Sequence, residues 1–171
     1  MLPGLIQVVG GMVQASGYTP TGVEVTPTMT SNTAPSGYTA SGNVGAGAAW
    51  NCFDKSSGQD YGALWNPPGT AATLQLLLPS TVYFASYSIQ YRTGAGDGTQ
   101  APNAWTFQYT ADGGSNWSTA DIRTGITGWS ADEVKTYTIT TPIQGNGFKI
   151  VGTANNGSGA WYAIKEVRVY S

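Results

Sequence analysis

The stretch Asn103-Ala104-Trp105-Thr106-Phe107-Gln108-Tyr109-Thr110, followed by Asp112-Gly113-Gly114-Ser115-Asn116, decides the fold class. Successive side chains in a strand point to opposite faces. Trp105, Phe107 and Tyr109 therefore share one face, with Thr106, Gln108 and Thr110 on the other. The Asp-Gly-Gly-Ser-Asn run reads as a hairpin turn whose glycines supply positive φ. Trp117 is expected to pack over that hairpin.

Working outward, the same period-two pattern recurs. Residues 73–78 read as a buried strand, and in 87–91 apolar residues alternate with polar ones. Further strands are expected near 120–124, 133–140, 147–153 and 161–170. In the last of these, Trp161, Ala163, Val167 and Val169 are expected to point one way around Lys165. Helix is scarce, with one short turn expected over 48–54. No internal repeat is evident, which argues against a solenoid or propeller. Seven or eight strands in about 140 residues suit an all-β sandwich.

Composition narrows the function. Charged residues make up 9% of the 171-residue chain, against about 25% in a typical soluble protein, and the net charge is −2. Seven cations cannot form the dense basic patch that nucleic-acid binding requires. No apolar run approaches the roughly 20 residues needed for a membrane span. Histidine is absent, which removes the usual general base, the Ser–His–Asp triad and most zinc sites. The acid pairs Asp54/Asp60 and Asp132/Glu133 lack any supporting motif for carboxylate catalysis. Cys52 has no partner for an internal disulfide and, between Trp50 and Phe53, reads as a buried thiol.

The amino-terminal stretch differs from the rest. Leu2, Leu5, Ile6, Val8, Val9, Met12 and Val13 form an apolar arm interrupted by Pro3, Gly4, Gly10 and Gly11. No basic residue precedes it, which is unlike a secretory signal. Two readings remain open for it: a loose arm, or a docking arm lying on another subunit. A polar Thr/Pro/Ser/Gly stretch follows, so residues 1–27 are expected to be arm and linker and 28–171 the sandwich.

Three stretches together resemble a known family. They are Ala48-Ala49-Trp50-Asn51-Cys52-Phe53-Asp54 leading to Trp65, Asn103 to Gln108 leading to the 112–117 hairpin, and Ile164-Lys165-Glu166-Val167-Arg168-Val169-Tyr170. This looks like the discoidin, or F5/8 type C, domain of the galactose-binding-like superfamily, in the form carried on bacteriophage tail and virion proteins. The resemblance implies an eight-stranded jelly-roll sandwich, with the extended apolar arm outside it, whose end loops bind glycans, lipids or protein surfaces. It also implies a structural calcium ion held by Asp54 and Glu166, although Asp54-Lys55-Ser56 replaces the usual Asp-Gly-Asn and sets a cation beside them. Trp50, Trp65 and Trp105 match core positions.

Ligand contact is expected from Tyr61, Trp129, Asn155, Asn156, Trp161 and Tyr162, which lie in or beside Gly/Ser-rich loops. An exposed aromatic face stacks on a sugar ring, while neighbouring amides hold hydroxyl groups. The expected role is a non-catalytic module on a virion, docked on other virion proteins through residues 1–22, multimeric there and binding host-surface carbohydrate. The alternative is a structural subunit (capsid decoration, neck or tail) without a working glycan site.

Overall fold

A computed structural model describes residues 18–57, 62–65, 71–93, 98–159 and 161–171. The described residues form nine strands: β1 (Thr39–Gly42), β2 (Val44–Ala46), β3 (Gly62–Trp65), β4 (Ala72–Gln90), β5 (Pro102–Thr110), β6 (Ser118–Arg123), β7 (Val134–Asn155), β8 (Trp161–Ile164) and β9 (Glu166–Tyr170). A 3₁₀ turn over Ala49–Phe53 is where the sequence places its short helical turn. One sheet runs β1-β4-β7-β5-β6, with β9 beside β4, and a second runs β2-β3-β8. The protein is an all-β sandwich, as its alternation predicts.

The strand that decides the fold behaves as read. Trp105 and Phe107 are buried on β5, and Tyr109 packs against the core. The hairpin after it closes with Gly113 and Gly114 at φ 70° and 92°, where glycine avoids the steric penalty of a Cβ. Asp112 Oδ1 accepts from Asn116 N at 2.9 Å. Trp117 covers the turn and donates from Nε1 to Gly114 O at 3.0 Å.

Two strands are longer than expected. Residues 73–78 and 87–91 belong almost wholly to the single strand β4, and 133–140 and 147–153 to β7. Pro79 and the Gly145-Asn146-Gly147 run do not end these strands; the ladder between them instead skips register between Leu77 and Val82 and between Phe84 and Ser86. Such bulges bend a strand and increase its twist. The bent β4–β7 pair brings Tyr87 and Tyr137 over β5, where Tyr87 stacks on Phe107 at 4.6 Å and Tyr137 meets Trp105 edge-on at 5.1 Å. Phe148 lies at the centre of the core, stacked on Phe107 at 5.7 Å and edge-on to both Phe84 and Phe53 at 5.9 Å.

The last segment also departs from expectation. It is not one strand: β8 pairs β3, and β9 pairs β4 in the other sheet. The chain crosses between sheets at Lys165, whose side chain is buried. Its Nζ donates to Asp132 Oδ1 at 2.5 Å and to Thr93 Oγ1 at 2.8 Å. The bond from Lys165, with a smaller contribution from Thr93 Oγ1 donating to Asp132 Oδ1 at 2.6 Å, holds the Asp132 carboxyl below its ordinary value. A buried ammonium needs such partners, since stripping its water is otherwise costly. Cys52 is a buried thiol, as read, with Sγ 3.4 Å from Ile164 O.

Residues 21–25, assigned to the linker by sequence, run beside β9. Thr21 N donates to Ser171 O at 2.9 Å, Val25 N to Val169 O at 2.8 Å, and Ser171 N to Val23 O at 2.9 Å. The folded unit therefore starts before residue 28. Residues 1–17, which carry the apolar arm, lie outside the described residues. Among the described residues no helix is long and apolar enough to cross a membrane.

Candidate functional site

Three loops meet beside the start of β8. They are residues 98–103, 126–129 and 155–159, and backbone bonds join them: Ser158 N to Thr99 O at 3.1 Å, Asn156 N to Ala101 O at 3.1 Å, Ala163 N to Gln100 O at 2.8 Å and Ile126 N to Asn103 O at 3.0 Å. The Asn156 side-chain amide donates to Ala101 O, Pro102 O and Ile126 O at 3.1, 3.2 and 3.1 Å. Asn103 Nδ2 donates to Asn156 Oδ1 at 3.1 Å. Asn155 Nδ2 reaches Ser158 O at 2.8 Å and Trp161 O at 2.7 Å.

The Asn155 and Asn156 amides are thus spent on carbonyls of the three loops and of Trp161, so they brace the site from within. Asn103, which sequence reading passed over as a site residue, belongs to the same brace. Its position four residues before Phe107 gave no such signal. We expect Asn156→Ala to lower the unfolding free energy by about 1–3 kcal/mol, the cost of unsatisfied buried acceptors. Hydrogen exchange in 98–103 and 155–159 should accelerate, which mass spectrometry checks.

The aromatic candidates separate sharply. Tyr162 is fully buried between the sheets, its ring 2.6 Å from where a Cβ on Gly152 would stand. It cannot stack on a ligand. Trp129 is 9% exposed, donates from Nε1 to Pro102 O at 2.7 Å and carries the Lys135 ammonium 4.8 Å over its ring. It is a loop anchor, not a platform. Trp161 is only half-buried at the head of β8, with its backbone N donating to Ser158 Oγ at 3.1 Å. Tyr61 lies outside the described residues, as does the side chain of Trp65.

The Asp132/Glu133 pair is committed to structural partners. Asp132 is held by Lys165, while Glu133 Oε2 accepts from Ser130 N at 2.7 Å and its other oxygen pairs Lys135 at 3.4 Å. Asp60 lies outside the described residues.

The expected metal ligands lie in one corner. Glu166 is 3% exposed because the loop after the 3₁₀ turn covers it; its Oε2 accepts from Lys55 N at 3.0 Å and its Oε1 has no partner. Burial, with smaller repulsion from Asp54 and Glu24, pushes its carboxyl up to about 8. Asp54 Oδ1 accepts from Ser56 N at 2.8 Å. Calcium wants six to eight oxygens. Here Thr26 O and Glu24 Oε1 are already taken by the Lys55 ammonium at 3.0 and 3.1 Å. No three His, Cys, Asp or Glu residues among those described are grouped to hold a metal. The ammonium resident on Thr26 O and Glu24 Oε1 does not fit a calcium site there.

A polar groove opens on the outer face of the sheet near this corner. One cavity of about 210 Å³ is lined by Ser88, Gln90, Val134, Glu166, Arg168 and Tyr170. Its one aromatic lining residue is the half-buried Tyr170.

A family model, described as the F5/8 type C domain, matches residues 28–167. The chain belongs to the F5/8 type C domain family. Among solved structures, this family member is similar to the family 32 module of Clostridium perfringens NanJ in complex with galactose, at 23% identity over 78% of this chain and 93% of that one, with a TM-score of 0.62. It is also similar to chitosan-binding module 1 of a Paenibacillus sp. IK-5 chitosanase/glucanase, at 22% identity over 82% and 98% of the two chains, with a TM-score of 0.63. The family 32 carbohydrate-binding module of Streptococcus pneumoniae EndoD shares 15% identity over 87% and 99%, also with a TM-score of 0.63. At these identities the likeness establishes the shared sandwich. No curated protein matches the chain.

Proposed function

We propose that this F5/8 type C domain is a non-catalytic carbohydrate-binding module that engages sugar beside Trp161. The observation that carries the reading is a half-exposed indole at the rim of three loops locked together by asparagine amides. Rigid loops lower the ordering cost of binding a small polar ligand. The similar solved structures, a galactose complex and a chitosan-binding module, support the ligand class.

We further propose that the module rides on a phage particle. Residues 1–22 would dock it on other virion proteins, and host-surface glycan would be its target. The apolar arm carries no charged side chain before Glu24, which suits a segment covered by protein. A single shallow sugar site is weak, but many copies on one particle gain avidity through effective concentration.

A glycan array probed with a multimerised form of the protein tests the binding. Saturable binding that Trp161→Ala weakens at least about tenfold, near 1.4 kcal/mol, is expected. Silence across host polysaccharides would favour a structural virion subunit.

A further inference from the structure

Lys55 is an unusual residue for its place. Its φ is 57°, in the left-handed region, where a side chain with a Cβ is disfavoured and glycine is not. Nothing in the turn itself requires a lysine there. The side chain, however, reaches back across the fold: Nζ donates to Thr26 O at 3.0 Å and lies 3.1 Å from Glu24 Oε1. Thr26 Oγ1 donates to the same Glu24 oxygen at 2.5 Å, and Thr26 is buried. The backbone N of Lys55 meanwhile donates to Glu166 on β9.

One residue therefore ties three segments: the amino-terminal stretch beside β9, the loop after the 3₁₀ turn, and the last strand. A solvent-exposed lysine pair contributes little. This one is about three-quarters buried, at 27% and 24% side-chain exposure for Lys55 and Glu24, and one of its acceptors is the carbonyl of a buried residue. Ammonium offers three donors directed at hard oxygens, the same atoms a divalent ion would draw in.

We propose that the Lys55 ammonium is the built-in cation of this junction, closing the amino-terminal segment onto the loop and β9 without a divalent ion. The proposal is independent of the carbohydrate reading, since it concerns closure of the fold.

The test compares melting temperatures of the wild-type protein and Lys55→Gly in excess EGTA and in millimolar calcium chloride. Glycine relieves the backbone, so a lysine side chain that did nothing would make the variant more stable. The expected result is a wild-type melting temperature that is the same in both buffers, and a Lys55→Gly value lower by about 3 °C. A wild-type protein stabilised by calcium would overturn the proposal, as would a Lys55→Gly variant at or above wild type. Should that variant fail to fold, Glu24→Gln leaves the backbone untouched and is compared instead. A lowered melting temperature whose deficit shrinks at high salt supports the ammonium's role; an unchanged one overturns it.

Discussion

Phe148→Ala is expected to lower the unfolding free energy by about 3–5 kcal/mol, the range for deleting a buried aromatic ring. The ring is fully buried and touches Phe53, Phe84 and Phe107, so its removal leaves a void that three other rings line. Those neighbours come from three separate pieces of chain, the 3₁₀ turn, β4 and β5, and the ladders that join β4 and β5 to β7 resist collapse. Urea denaturation followed by tryptophan fluorescence measures the loss. A cost under about 1 kcal/mol would mean that the packing between these elements is looser than the ring geometry indicates.

The second large effect is a dependence on pH. Glu166 has an ordinary carboxyl value of 4.5 and is pushed up to about 8 in the folded chain, chiefly by burial. The folded state then holds its proton more tightly than the unfolded state. Stability is fully present below about pH 4.5, declines as pH rises, by at most about 1.4 kcal/mol per unit, and levels off above about 8. Glu166→Gln keeps the acceptor for Lys55 N and never ionises. It should match wild type near pH 5 and exceed it in stability near pH 9, as read from denaturation midpoints at both values. A variant less stable than wild type at high pH would instead show that an ionised Glu166 holds a cation.

Much of the architecture was legible because alternation is a local property. Trp105, Phe107 and Tyr109 specify a half-buried strand on their own, and Asp112 to Asn116 specify the turn that follows. The continuity of β4 and β7 was not legible. Pro79 and the Gly145-Asn146-Gly147 run carry the residue types of turns, yet here they sit at bends within strands whose partners continue past them. Nor could the sequence place the crossing at Lys165, because both halves of 161–170 are equally strand-like. Only the distant Asp132 and Thr93 show why a lysine belongs there.

The site was legible in outline and not in its parts. Trp161 and Tyr162 are adjacent aromatics, so alternation requires one to point inward, but it does not say which. Gly152 decides it by leaving room for the Tyr162 ring. Asn155 and Asn156 in a Gly/Ser-rich loop carry the composition of a ligand contact, yet carbonyls of the neighbouring loops and of Trp161 take their amides. Glu166 stands where the resemblance implies a calcium ligand, and nothing local in the sequence shows that a distant loop buries it. Each miss has one cause: burial and amide partnering depend on segments far away along the chain.

The proposed sugar site lies at the braced loops beside Trp161. A titration of isotope-labelled protein with galactose and with chitosan oligosaccharides, followed by two-dimensional NMR, reads binding there residue by residue. Saturable shifts are expected at the Trp161 indole and at the amides of Thr99, Gly157 and Ser158, with the rest of the sandwich unmoved. Shifts confined to the groove of Ser88, Gln90 and Arg168, or no saturable shift with either sugar, would contradict it.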